Sequence, residues 1–184
     1  MSVKHKKVIL GVTGSIAAYK SAEILRYLQE ESVDVSVVMT KEAEYFITPL
    51  TLSSLAGKKI HHWGFNEEDD AWQMKHIKLA EEADALLVAP ATANIIGKFA
   101  TGLADDLLTC IFLSIKSKIY IAPAMNENMY KNKIVEENCQ RLRQFGVQFI
   151  EPIKGKLACG LTGEGHIADP KKIADTVIKE LFRR

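Results

Sequence analysis

The sequence predicts a doubly wound α/β fold, with a single parallel sheet in a Rossmann- or flavodoxin-like three-layer α/β/α arrangement. Two observations predict it. Short aliphatic runs, such as residues 8–12 and 86–89, lack the polar alternation of half-exposed strands, as strands covered on both faces should. Between such runs lie longer stretches with apolar residues at helical spacing, so strand and helix alternate along the chain. The 184 residues and 47% hydrophobic content fit one domain over 1–184 with a substantial core.

The first strand is residues 8–12. The basic stretch before it is no signal peptide, because Thr13-Gly14-Ser15 breaks the apolar run at once. Residues 15–30 read as a helix through Ile16, Tyr19, Ile24, Leu25 and Leu28, and 33–39 as the second strand. Residues 42–56 read as helical, with Pro49 predicting a kink or two shorter helices. The third strand is 86–89, followed by a helical stretch over 93–113 that breaks at Gly102. The fourth strand is 119–122, then a helix over 127–145 that stops near Gly146, then a fifth strand at 147–150. Asp169-Pro170 opens a last helix to about Leu181, with the aspartate as N-cap and the proline in the first turn. Residues 57–73 and 152–167 fit no regular element, and long irregular stretches are usually functional.

The net charge is +1, from 24 basic and 23 acidic residues, which disfavours a nucleic-acid partner. The cysteines Cys110, Cys139 and Cys159 form no CxxC pair, so no metal site is expected. No stretch approaches the roughly eighteen apolar residues of a membrane span, and a cytoplasmic location with free thiols is expected.

In such sheets ligands sit beyond the carboxyl ends of the strands. Gly11-Val-Thr-Gly14-Ser15-Ile16 suits an anion at a helix N-terminus, although a tight turn capped by Ser15 explains the same residues. It is neither a P-loop nor a GxGxxG. Thr40 reads as a helix cap or a second contact to that anion, and Phe46 as core or as a neighbour of a flat ligand. Ala89-Pro-Ala-Thr92-Ala93-Asn94 is small and polar enough to admit a flat ligand to the backbone. In Pro123-Ala-Met-Asn126-Glu-Asn-Met129-Tyr130, Asn126 is a cap or a ligand to a carboxylate. His76 lies just before an apparent helix. Leu157-Ala-Cys159-Gly-Leu-Thr-Gly163-Glu-Gly165 reads as a glycine-rich flap around a thiol, while Cys110 and Cys139 sit in apolar helical patterns and read as core.

Together these segments resemble the homo-oligomeric flavin-containing cysteine decarboxylases, from Val8 to the last helix. The marks are Ala89-Pro-Ala-Thr-Ala-Asn94 with Lys98, Gly102 and Asp105, then Pro123-Ala-Met-Asn126-Glu-Asn-Met129, close to the family's PxMNxxMW, then Ala158-Cys159-Gly160 with Gly163 and Gly165. The resemblance implies FMN, with its phosphate on Gly14, Ser15 and Ile16 beside Thr40. It places Phe46, Thr92, Ala93, Asn94, Ile95 and Ala124 along the flavin. It implies His76 as base, Asn126 as holder of the substrate carboxylate and Cys159 as proton donor, with Met129, Lys156, Leu157 and Ala158 also against substrate. It implies a trimer, or a dodecamer built from trimers.

Three branches differ in chemistry. One decarboxylates 4'-phosphopantothenoylcysteine to 4'-phosphopantetheine in coenzyme A synthesis, by oxidation to a thioaldehyde, loss of carbon dioxide and re-reduction. A second acts on peptide C-terminal cysteines without the re-reduction. The third, the flavin prenyltransferases, lacks this His and PAMN arrangement. His76, Asn126 and Cys159 together place this chain with the first. Some relatives instead bind FMN without catalysis and regulate a phosphatase. Tyr130 replaces the pattern's tryptophan, and His166-Ile167 its Arg-Met, which alters the expected grip on the substrate phosphate.

Overall fold

The computed structural model describes residues 5–62, 75–156 and 162–183. Six strands form one sheet: β1 (Lys7–Val12), β2 (Asp34–Met39), β3 (His61–His62), β4 (Ala85–Ala91), β5 (Lys118–Pro123) and β6 (Gln148–Phe149). Their order is β3-β2-β1-β4-β5-β6 and every pairing is parallel. This is the strand order of the dinucleotide-binding folds, with the topological switch between β1 and β4. The expected doubly wound sheet is therefore present, with the two-residue edge strand β3 added.

Side-chain alternation in the central strands explains the two layers of core. Val8, Leu10 and Val12 of β1, with Ala85, Leu87 and Ala89 of β4, face helices α1 (Ser21–Glu30), α2 (Pro49–Ala56) and α8 (Pro170–Leu181). Ile9 of β1, with Leu86, Val88 and Ala91 of β4, faces the other layer. That layer holds α3 (Lys75–Glu82), α4 (Ala93–Thr101), α5 (Leu107–Ser114) and α7 (Lys133–Gln144). The pleat sends successive residues to opposite faces, so an uninterrupted aliphatic strand requires both layers. All seven residues of β4 are buried. Near its end the register against β5 shifts between Val88 and Ala91, and the Ala89–Pro90 peptide is cis.

The Gly102 break within 93–113 and the division of 42–56 into two shorter helices are as expected, while other boundaries differ from the sequence reading for local reasons. Pro49 does not kink a helix but starts one, since Thr48 caps α2 by accepting from the Thr51 N–H and proline occupies the first turn. The stretch over 15–30 is a 3-10 turn (Ile16–Lys20) followed by α1, and Lys41–Tyr45 is a second 3-10 turn. The helical stretch at 93–113 divides at Gly102, in the left-handed region at φ 72°, and restarts as α5 under an Asp106–Thr109 capping box. The stretch at 127–145 divides into α6 (Glu127–Tyr130) and α7, because Asn126 and Asn132 each cap a new helix.

Residues 152–167 are not irregular throughout. Strands β7 (Ile153–Lys156) and β8 (Thr162–His166) pair antiparallel in a hairpin outside the main sheet. His76 lies in the first turn of α3 and not ahead of it. Cys139 is buried as expected of a core thiol, whereas Cys110 is half-buried. No helix among the described residues is long and apolar enough to cross a membrane.

Candidate active site

A cavity of about 820 Å³ opens beyond the carboxyl ends of β1, β2, β4 and β5, at the switch point of the sheet. Its size is that of sites which enclose cofactors and small substrates. Four loops and the hairpin build its walls, and each has an identifiable cause.

The first loop runs from Thr13 to Ala17. Ser15 caps the following turn, its Oγ accepting from the Ala17 N–H at 3.3 Å. Gly14 is required by contact and not by its dihedral angles. A Cβ there would lie 2.4 Å from Glu42 Cβ and 3.0 Å from the Glu42 carbonyl carbon. The β1 and β2 loops therefore touch at a position where only glycine fits.

Thr40 follows β2 at the cap position of the second 3-10 turn, yet its side chain makes no capping bond. Its Oγ1 is buried without a hydrogen-bond partner among the described residues, and the residue lines the cavity at 5% exposure. A buried hydroxyl with no partner is costly. A phosphate or another polar ligand in the cavity would supply the partner, so this orphaned atom fits an anion held beside Gly14, Ser15 and Ile16.

Thr13 was read from the sequence only as part of a turn, and it proves to be the buried staple of the site. At 1% exposure, its Oγ1 donates to the Pro90 carbonyl at 2.7 Å and accepts from the Thr92 N–H at 3.2 Å. It therefore joins the β1 loop to the β4 loop. No local signal reveals this, because the partners lie 77 and 79 residues away. Thr13→Val should weaken FMN binding by about tenfold or more, through two buried groups left unpaired. Thr13→Ser, which keeps the oxygen, should not. Flavin fluorescence titration reads both, and a valine variant that binds FMN like the native chain would contradict the staple role.

Thr92 caps α4 by accepting from the Ile95 N–H at 3.3 Å, and Ala93, Asn94 and Ile95 line the cavity beside it. Lys98, one turn further along, bonds both oxygens of Asp105 at 2.8 Å and reaches Asp106 at 3.4 Å. Burial opposes its charge, but the Asp105 hydrogen bonds and the two neighbouring carboxylates hold its pKa above the ordinary lysine value. It stays cationic at the cavity wall.

Ala124, Met125, Asn126 and Met129 form the β5 side. Asn126 Oδ1 accepts from the Asn128 N–H at 2.9 Å as the α6 cap. The hairpin closes the end of the cavity, bringing Gly165, His166 and Ile167 to it. The Gly165 carbonyl accepts from the Met125 N–H at 3.1 Å. Gly165 has φ 129°, and a Cβ on it would lie 2.3 Å from the Met125 carbonyl oxygen. His166 Nδ1 is 2.9 Å from the Ile167 carbonyl, so that nitrogen carries a proton.

The cavity thus gathers Gly14, Ser15, Ile16, Thr40, Thr92, Ala93, Asn94, Ile95, Ala124, Asn126 and Met129. It does not gather Phe46, which is 45% exposed and does not line it, nor His76, which lies on α3 away from it. Lys156 has its backbone in β7, and its side chain lies outside what the structure describes. Leu157, Ala158 and Cys159 lie outside the described residues. Thr13, Glu42 and Asp106 are among the cavity residues that sequence reasoning did not single out, whereas His166 enters that reading only as a departure from the family pattern.

A family model described as Flavoprotein matches residues 1–182. The chain belongs to the flavoprotein family. Among relatives of this flavoprotein, the coenzyme A biosynthesis bifunctional protein CoaBC of Vibrio vulnificus is 41% identical over 168 residues, 91% of this chain and 42% of that protein. The chain thus spans under half the length of the bifunctional relatives it matches. A probable phosphopantothenoylcysteine decarboxylase of Streptococcus mutans is 40% identical over 96% of this chain and 97% of its own length. Solved flavoproteins share the architecture. A cysteine-to-serine mutant of PPC decarboxylase complexed with pantothenoylaminoethenethiol superposes with a TM-score of 0.84 at 34% identity, over 95% of this chain and 97% of that one. The FMN-binding protein AtHal3 gives 0.81 at 35% identity, over 95% and 96%.

Proposed function

We propose that this chain, as one flavoprotein domain over 1–184, binds FMN and decarboxylates 4'-phosphopantothenoylcysteine to 4'-phosphopantetheine in coenzyme A biosynthesis. One observation carries the proposal. The loops suited to a cofactor, with Gly14, Ser15, Thr40 and Thr92 to Ile95, open into the same cavity as Asn126 and Met129 of the β5 side. A substrate held on Asn126 would therefore lie against the cofactor. The names of the relatives at about 40% identity support the same reading.

Bound FMN supplies a two-electron acceptor that can return its electrons, which a cysteine carboxylate needs before carbon dioxide can leave. The protein supplies placement and proton control. The Ile16 amide and the Thr40 hydroxyl would hold the phosphate beside Gly14 and Ser15, whose own N–H is spent on the Thr13 carbonyl at 2.8 Å. Asn126, whose Oδ1 caps its own helix, orients the substrate carboxylate. Cys159 gives the last proton to the enethiol product. The solved mutant supports this role, since a decarboxylase lacking one cysteine was captured with an ethenethiol.

His76 acts as base on the cavity of a neighbouring copy, since it does not line its own. This requires the homo-oligomer, a trimer or trimers built into a dodecamer, working in the cytoplasm. Mixing His76→Asn with Gly14→Val chains should restore turnover that neither has alone. Mixed oligomers without activity would remove His76 from this position.

The cofactor part is tested by titrating the purified protein with FMN. The proposal requires one FMN per chain with flavin absorbance retained after gel filtration. A protein that cannot be loaded would end it.

A further inference from the structure

The wall of the cavity formed by Asn126 and Met129 is poorly anchored by packing. Helix α6 is a single turn of four residues, and none of them is buried. A helix this short has no stability of its own. Polar ties to the β7–β8 side must place it.

Such ties are present among the described residues. The Met125 N–H donates to the Gly165 carbonyl at 3.1 Å. Lys131 Nζ reaches Glu127 Oε1 at 2.7 Å and Glu164 Oε2 at 3.3 Å, joining α6 to β8. At the root of the hairpin, Tyr130 donates its hydroxyl to Glu151 Oε2 at 2.5 Å. The second oxygen of Glu151 accepts from Arg143 Nη2 of α7 at 2.6 Å, and that guanidinium lies 4.4 Å over the Phe149 ring of β6. Glu151 is thus held from two elements of the main fold. The exposed lysine pairs are weak. The Tyr130 side chain is half-buried although its bond to Glu151 is exposed, and burial first, then that bond, pushes the phenol pKa far above its ordinary value. The hydroxyl is a donor throughout the working pH range.

Tyr130 lies one turn beyond Asn126, and its N–H donates to the Asn126 carbonyl at 3.0 Å. Any shift of Tyr130 passes directly to Asn126.

We propose that Tyr130 and Glu151 are positioning residues, whose hydrogen bond fixes α6 against the hairpin and so sets where Asn126 meets the substrate. This rests on the function proposed above. Neither residue lines the cavity, so the effect belongs in substrate affinity and not in cofactor binding or global stability.

The test uses the FMN-loaded protein. Tyr130→Phe keeps the ring and removes the donor. Its KM for phosphopantothenoylcysteine should rise roughly tenfold, the scale of one lost hydrogen bond to a charged group, while FMN affinity and the thermal midpoint stay native. Glu151→Gln keeps a neutral acceptor and should fall between. The double variant should be no worse than Tyr130→Phe, because both changes remove one interaction. A native KM in Tyr130→Phe, or single effects that add in the double variant, would overturn the proposal. Hydrogen exchange at the Met125, Tyr130 and Lys131 amides gives a readout without turnover, and these amides should exchange faster in Tyr130→Phe. If the native protein does not decarboxylate this substrate, the functional reading fails and the exchange still decides. Unchanged exchange would then refute the clamp.

Discussion

Gly14→Val should abolish FMN binding while the sheet survives. The Cβ position at Gly14 is already 2.4 Å from Glu42 Cβ and 3.0 Å from its carbonyl carbon. Backbone is part of the obstacle, so a side-chain rotation cannot relieve it. The two loops must part, and they carry Ser15 and Thr40, which line the cavity and are proposed to hold the phosphate. Overpacking of this kind costs on the order of 1–3 kcal/mol of stability, which a chain of this size survives. Loss of the aligned donors should weaken FMN at least 100-fold, since about 3 kcal/mol of binding vanishes with two or three charge-assisted hydrogen bonds. Gly97→Ala is the control. A Cβ there would meet only Asn138 Nδ2, at 3.9 Å, and Gly97 lies inside α4. That variant should gain about 1 kcal/mol of stability and keep native FMN affinity. Denaturant unfolding and flavin titration on both variants check the pair. A Gly14→Val protein that binds FMN normally would show that the cavity is not the cofactor site.

Cys159→Ser should change the product and not the first half of the reaction. Decarboxylation of an oxidised cysteine leaves an enethiol, which becomes a saturated thiol only when hydride and proton both arrive. Serine is too weak an acid to replace a thiol as proton donor. Carbon dioxide should therefore still be released, in at most one turn per flavin, and the enethiol should accumulate. Mass analysis of the quenched reaction distinguishes the two products by two hydrogens. Normal yields of phosphopantetheine from this variant would remove Cys159 from the proton-donor role.

Much of the fold was legible because β1 and β4 are aliphatic on both faces, a pattern no half-exposed strand shows. The loops beyond them were legible for the same reason, since the end of a buried strand marks the beginning of a site. The β7–β8 hairpin was hidden. Its strands read Ile-Lys-Gly-Lys and Thr-Gly-Glu-Gly-His, without the apolar alternation that normally signals a strand. Its glycines answer to distant contacts, Gly163 to Glu127 and Gly165 to Met125, which no local window contains. The division between α6 and α7 had a signal, asparagines at 126 and 132, but the helical periodicity over 127–145 outweighed it. Phe46 illustrates the opposite error. An apolar ring in a helical stretch suggests a packed neighbour, and the structure leaves it at the surface, outside the cavity. Thr13 could not have been ranked above its neighbours, because its importance lies in two partners across the sheet.

The most direct test of the account is product analysis of the native, FMN-loaded protein with phosphopantothenoylcysteine. The account predicts carbon dioxide and phosphopantetheine in equal amounts over many turnovers, with no net change in the flavin. Release of carbon dioxide with an accumulating enethiol would contradict it in favour of a decarboxylase without re-reduction. Bound FMN with no carbon dioxide released would contradict it altogether.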